Sequence, residues 1–219
     1  MYTIKFRRFG NGVLISHTDV LRCLNRTMRR ANIGMNFSKG FNKHMTLKLT
    51  QPLPLGIASD DEYVVCDLVD ELSKEEFLQR VKDNLPPFLS AERVFYTEKN
   101  PSLSARVNAS AYFVRTEKAF EKKDEIENIK NGYKVTVEKK GEIAVKEVAD
   151  MIYEVRVERD SIILTLAFGN PNLRIDVLFK QLNKDFDLDI GYLDVVRTEQ
   201  LIYDGSTFLS AEKYMESVE

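Results

Sequence analysis

Residues 2–8, YTIKFRR, alternate: Tyr2, Ile4 and Phe6 point one way, and Thr3, Lys5 and Arg7 the other. That period of two predicts a strand. The GNG at 10–12 reads as a turn. Beyond it the period lengthens. Val20, Leu21, Leu24, Met28 and Ala31 fall within one arc of a helical wheel drawn at 100° per residue. Ser16 and Asp19 form an S-x-x-D start signal ahead of them, so a helix is predicted to about Ala31, with residues 32–34 ending it. MNFSKGF and HMTLKLTQPLPLG read as short strands around a bend, and residues 62–70 as a strand. Residues 73–85 read as a helix, capped by Ser73 with Glu76 in the reciprocal position and stopped by Pro86 and Pro87. Residues 90–98 read as another strand.

The second half repeats this β-α-β-β-α-β order more loosely. A strand is predicted at 109–117, a charged helix ending at Gly132, and three or four strands with an insertion over 133–168. An amphipathic helix follows at 172–186, with Leu173, Val177, Leu178, Leu182 and Phe186 on one side. The last strand is expected at 191–204, ahead of a tail with helical character. The expected fold class is α+β: tandem ferredoxin-like domains over 1–100 and 101–219, joined through residues 98–108. Each would be an antiparallel sheet with two helices on one face.

Composition narrows the class. The 219 residues are 43% hydrophobic and 30% charged, ordinary for a soluble globular chain. No apolar window reaches the length of a membrane span. MYTIKFRRFG lacks the apolar core of a signal peptide, so the expected setting is cytoplasmic, with no membrane partner. Cys23 and Cys66 form no C-x-x-C pair, and His17 and His44 are the two histidines. Such a chain does not carry a zinc ribbon or a cysteine-ligated iron–sulfur cluster. No metal or other cofactor is implied.

Charge changes the picture most. The first fifty residues hold ten Lys or Arg against one acid, Asp19, a net of +9; the remainder holds 22 basic and 33 acidic side chains, a net of −11. A segment this basic attracts phosphate-rich partners, unless the acidic remainder of the same molecule neutralises it. Arg22, Arg26, Arg29 and Arg30 fall opposite the apolar arc of the first predicted helix with no acid among them. Like charges at this spacing cost a few tenths of a kcal/mol per pair.

The candidate binding residues are these four arginines together with Ser38, Lys39, Gly40, Phe41, Asn42, Lys43 and His44. A glycine beside two lysines leaves backbone N–H groups open to a phosphate. His17 and His44 are candidates for an acid–base pair if the bend meets the helix start. Phe37, Phe41, Tyr2 and Phe6 lie among the cations, where rings either stack on bases or pack in the core. Asp60, Asp61 and Glu62 read as a charged loop, since nothing there has metal-ligand spacing. Asp176, two residues after Arg174, reads as structural.

The stretch YTIKFRRFGNGVLISHTDVLRCLNRTMRRANIGMNFSKGFNKHMTLKLTQPLPLGIASDDEY resembles the radical-SAM-linked proteins, a bacterial family built on domain of unknown function 2344. Its pattern of basic strand, helix start, paired arginines, glycine turn and P-L-P-x-G segment falls here at Ser16, His17 and Asp19; at Arg29 and Arg30; at Ser38, Gly40, Phe41, Asn42 and His44; and at residues 52–56. Met45 and Thr46 stand where the family usually has proline then lysine. The resemblance implies a partner, a radical S-adenosylmethionine protein, to which this chain would present a substrate; the chain itself has no C-x-x-x-C-x-x-C run. Three functions are expected from these readings. The first is an accessory module binding RNA (tRNA or ribosomal RNA) through the basic face. The second is a metal-independent ribonuclease or RNA-modification subunit using His17 and His44. The third is a protein–protein adaptor.

Overall fold

The computed structural model of the chain describes residues 1–139 and 141–219. Its first half runs β1 (Tyr2–Arg8), α1 (His17–Arg30), β2 (Leu47–Leu49), β3 (Ala58–Cys66), α2 (Lys74–Lys82) and β4 (Leu89–Tyr96). A short α3 (Leu103–Arg106) leads into β5 (Ala109–Arg115), α4 (Lys123–Glu127), β6 (Lys134–Lys139), β7 (Glu142–Glu147), β8 (Ile152–Val157) and β9 (Ser161–Ala167). Then come α5 (Ile175–Phe186), β10 (Val195–Tyr203), β11 (Phe208–Ser210) and α6 (Ala211–Val218).

Both halves build one mixed α/β body around a single, mostly antiparallel nine-stranded sheet, ordered β4-β1-β3-β10-β5-β9-β8, with β2 beside β3 and β11 beside β10. Two separate sheets were expected; the structure joins them. The joint is the parallel pairing of β3 with β10, over Ala58 with Val196 and Ser59 with Arg197. Past these two pairs the strands diverge, β2 taking the free edge of β3 at Val64–Cys66 and β11 that of β10 at Leu201–Tyr203. Hairpin β6–β7 forms its own two-stranded sheet, the insertion expected in this region. The helix expected before Gly132 resolves into a 3-10 turn, the short α4 and a second 3-10 turn.

Three apolar clusters cover the sheet. Val20, Leu24 and Met28 of α1 and Phe77 and Val81 of α2 close over Ile4, Phe6, Val64 and Cys66. Leu178, Phe179 and Leu182 of α5 close over Val114, Ile162, Leu164 and Leu166. On the reverse face, Ala211 and Met215 of α6 and Leu103 of α3 cover Tyr63, Val65 and Phe95. Tyr63 and Val65 alternate with Val64 and Cys66, so the strand pleat sends them to opposite sides. Among the described residues no helix is long and apolar enough to cross a membrane.

Candidate functional site

Helix α1 starts as its sequence predicts. The Ser16 hydroxyl accepts the Asp19 N–H at 3.1 Å and donates to Asp19 Oδ2 at 2.7 Å. Asp19 also takes Arg22, Nη1 to Oδ1, at 2.8 Å, and these hydrogen bonds to Ser16 and Arg22 hold its carboxyl below the usual carboxylate range. Arg30 donates to the carbonyl of Asn84, just beyond α2, at 2.5 Å. Arg26 and Arg29 are exposed and carry neither a hydrogen bond nor an ion pair among the described residues. Among the described residues, Asp19 is the one acid that forms an ion pair with any of these four arginines.

The bend at 38–44 is closed at its neck and open at its tip. Phe37 bridges Met45. The Ser38 N–H donates to the His44 carbonyl at 2.8 Å, and the Ser38 hydroxyl accepts the His44 N–H at 3.2 Å. His44 Nδ1 lies 3.1 Å from that hydroxyl and 3.3 Å from the Asn42 carbonyl. At the tip, Gly40 has φ +140° with open space where a Cβ would stand. Lys39, Asn42 and Lys43 are exposed and Phe41 fully so, at 103%. Phe37 is also exposed, whereas Tyr2 and Phe6 are buried in the core and are not available to stack on a base. No hydrogen bond or ion pair among the described residues joins the bend to the α1 arginines.

The two histidines occupy different surroundings. His44 belongs to the bend. His17 lines a cavity of about 370 Å³ at the seam between the halves, with Ser16, Tyr112, Asn172 and Arg174; residues 52–55, Phe168 and Ile175 complete its walls. The two imidazoles share no hydrogen-bond partner and no cavity among the described residues. Burial lowers the His17 pKa; Arg197 and Arg8 lower it further, while Glu62 opposes them.

Behind this cavity lies a polar row across the sheet. Arg8 pairs in register with Ser59, Ser59 with Arg197 and Arg197 with Tyr112; directly opposed residues share a face. Arg197 is 0% exposed. It bonds Glu62 and reaches Ser59 Oγ at 3.4 Å and the Gln51 carbonyl at 3.4 Å. Burial disfavours its charge, yet Glu62, with Tyr112 and Asp61, more than offsets this and its pKa rises. Arg8, buried, donates to the Ile57 carbonyl at 3.1 Å and leaves Nε without a partner; burial lowers its pKa. On the reverse face Asp61 accepts from Tyr63 at 2.7 Å and from the Gln200 N–H at 2.6 Å, with Lys5 at 3.3 Å. The charged loop expected at Asp60, Asp61 and Glu62 is therefore part of strand β3, and two of its acids are buried. Strand alternation could not identify them, because their counter-charges lie far away in sequence, at Arg197 and Lys5. The Arg174–Asp176 contact is a two-point pair, at 3.0 and 2.8 Å, at the start of α5.

A family model described as an uncharacterized protein conserved in bacteria, DUF2344, matches residues 1–174, a span that includes β1–β9, the arginine helix, the bend and most of the seam cavity. No curated protein matches the chain.

Proposed function

We propose that this chain, which belongs to the DUF2344 family of bacterial proteins, is an accessory binding module that holds a phosphate-rich partner, RNA in the first instance, against the outer side of α1. The observation that carries this reading is that Arg26 and Arg29 stand exposed without an acidic mate among the described residues. Arginine left in this state supplies charge and a planar donor fork to phosphate oxygens. Lys39, Lys43 and the open N–H groups around Gly40 offer a second contact point, and Phe41 offers a ring to an unstacked base. A radical-SAM protein as the partner served by the module rests on the resemblance of residues 2–63 and belongs to this proposal, as does a cytoplasmic setting. The strand order fourth-first-third-second within each half supports reading the fold as two ferredoxin-like units fused edge to edge.

Titration of the chain with tRNA at several salt concentrations tests the function. If two to four phosphates are contacted, affinity falls about tenfold or more between about 50 and 200 mM salt. Replacing Arg26→Gln and Arg29→Gln together weakens binding and makes the log–log salt slope shallower by about two. Salt-independent binding, or an unchanged slope in the double variant, overturns the reading.

A further inference from the structure

The seam cavity is well removed from the unpaired arginines of α1. His17 opens that helix and Arg26 lies nine residues on, about 14 Å along the axis at 1.5 Å per residue. Its construction differs from that of a packing defect. The first turns of two long helices meet there: Ser16 and His17 begin the 14-residue α1, and Arg174 and Ile175 begin the 12-residue α5. Each start carries partial positive charge and unsatisfied N–H groups. α1 caps itself through Ser16, but α5 has no side-chain cap; Arg174 stands at its N-cap position without a cap hydrogen bond. The acid of that first turn, Asp176, is already held by Arg174.

A second observation is independent of the helices. Tyr112 is 2% exposed and lines the cavity. Its hydroxyl lies near Arg197 and Ser110 without meeting hydrogen-bond geometry to either. The Ser110 hydroxyl is itself buried and unpartnered. Tyr112 stands at the cavity wall, where its O–H can donate to a bound acceptor. The His17 ring also makes no hydrogen bond among the described residues. Apart from Asn172, the remaining walls are apolar: Leu53, Pro52, Pro54 and Leu55 from one half and Phe168 and Ile175 from the other. A volume of about 370 Å³ lies at the lower end of the range for small-molecule sites.

We infer that this cavity is a binding site for a small organic anion, a carboxylate or phosphate monoester on an apolar body, whose head accepts from Tyr112 Oη, His17 and the uncapped start of α5 and whose body packs on the proline–leucine segment and Phe168. Arg174 and, behind it, Arg197 and Arg8 set the sign of charge the site prefers; the carboxylates nearby, Glu62 and Asp176, are each held by an arginine. The site draws on both halves, so it exists because the sheet is continuous.

The full chain is titrated with 3-phenylpropionate, phenyl phosphate and the uncharged 3-phenylpropanamide, and the imidazole resonances are followed by NMR. The chain has two histidines, so the readout also locates the ligand. At least one anion should saturate below about 10 mM and shift His17 but not His44, with the amide at least tenfold weaker. Which anion wins separates a carboxylate from a phosphate ligand. Tyr112→Phe keeps the ring and removes one hydrogen bond to a charged group, and should weaken the anion about tenfold; Arg26→Gln with Arg29→Gln should leave it unchanged. The inference is overturned if neither anion saturates, if the amide binds as well as the acids, if His44 moves instead, or if folded Tyr112→Phe binds as tightly as the parent chain.

Discussion

The Arg197 guanidinium, wholly buried, closes on the Glu62 carboxylate at the point where β10 runs parallel to β3. This contact spans 135 residues of chain and ties the two halves together beneath the seam cavity. Removing one member of a buried pair strands the other. Glu62→Ala is therefore expected to cost about 3–5 kcal/mol in urea unfolding, whereas Glu62→Leu combined with Arg197→Met recovers most of that loss. A single variant as stable as the parent chain would show that the pair is not desolvated.

Gly56 sits beside the same joint. Its φ is +90°, and an added Cβ would stand 2.7 Å from Tyr192 Cβ, while its N–H donates to the Val13 carbonyl at 2.7 Å. Gly56→Ala meets backbone strain and a collision together and should lose about 2–4 kcal/mol. Gly40→Ala, also at positive φ but in open space, should lose only the strain, about 1–2 kcal/mol. Thermal or urea midpoints of the two variants compare them directly.

His17 makes folding sensitive to mild acid. Burial lowers its folded pKa below the unfolded value of 6.5, so below about pH 6.5 the unfolded chain binds the extra proton. The contribution is fully present above pH 6.5 and is lost as pH falls toward the folded pKa. The charges that act on the ring are Glu62, Arg197 and Arg8, the last two repelling the proton, and Arg174 lines the same cavity. Urea midpoints at pH 7.5 and pH 5.5 should drop more for the parent chain than for His17→Gln. Equal drops would assign the sensitivity to other groups.

The two thiols should differ. Cys66 is fully buried, and burial pushes its pKa far above the ordinary thiol value. Cys23 is half-buried on α1. A thiolate-specific reagent should modify Cys23 in the folded chain and reach Cys66 only on unfolding. Two rapidly reacting thiols in native buffer would contradict the packing around β3.

Local chemistry carried much of the fold. The S-x-x-D and S-x-x-E starts mark α1 and α2, and both serine hydroxyls accept the N–H groups those patterns imply. Leu24 and Met28 are buried where the wheel placed them. Of the candidate residues, the four arginines and the bend were legible as a charge pattern, but not that Arg22 pairs with Asp19 while Arg26 and Arg29 stay unpaired among the described residues. The seam was not. Arg197 sits in VVRTEQ, where the period of two gives no reason to expect a wholly buried cation, and Asp61 and Glu62 look like a solvated acid run until their mates are seen.

What the chain determined by itself is whatever depends on neighbours within a few residues: strand and helix periods, helix starts, and a basic segment followed by an acidic one. Tertiary structure alone decided that the two halves share one sheet, which charges are buried in pairs and which stay free, and that His17, Tyr112 and Arg174 line one cavity. The physical reason is the range of the forces involved. Backbone geometry and capping act over single turns. Desolvation and charge pairing act between whichever groups the packed sheet brings together, here 135 residues apart in the case of Glu62 and Arg197.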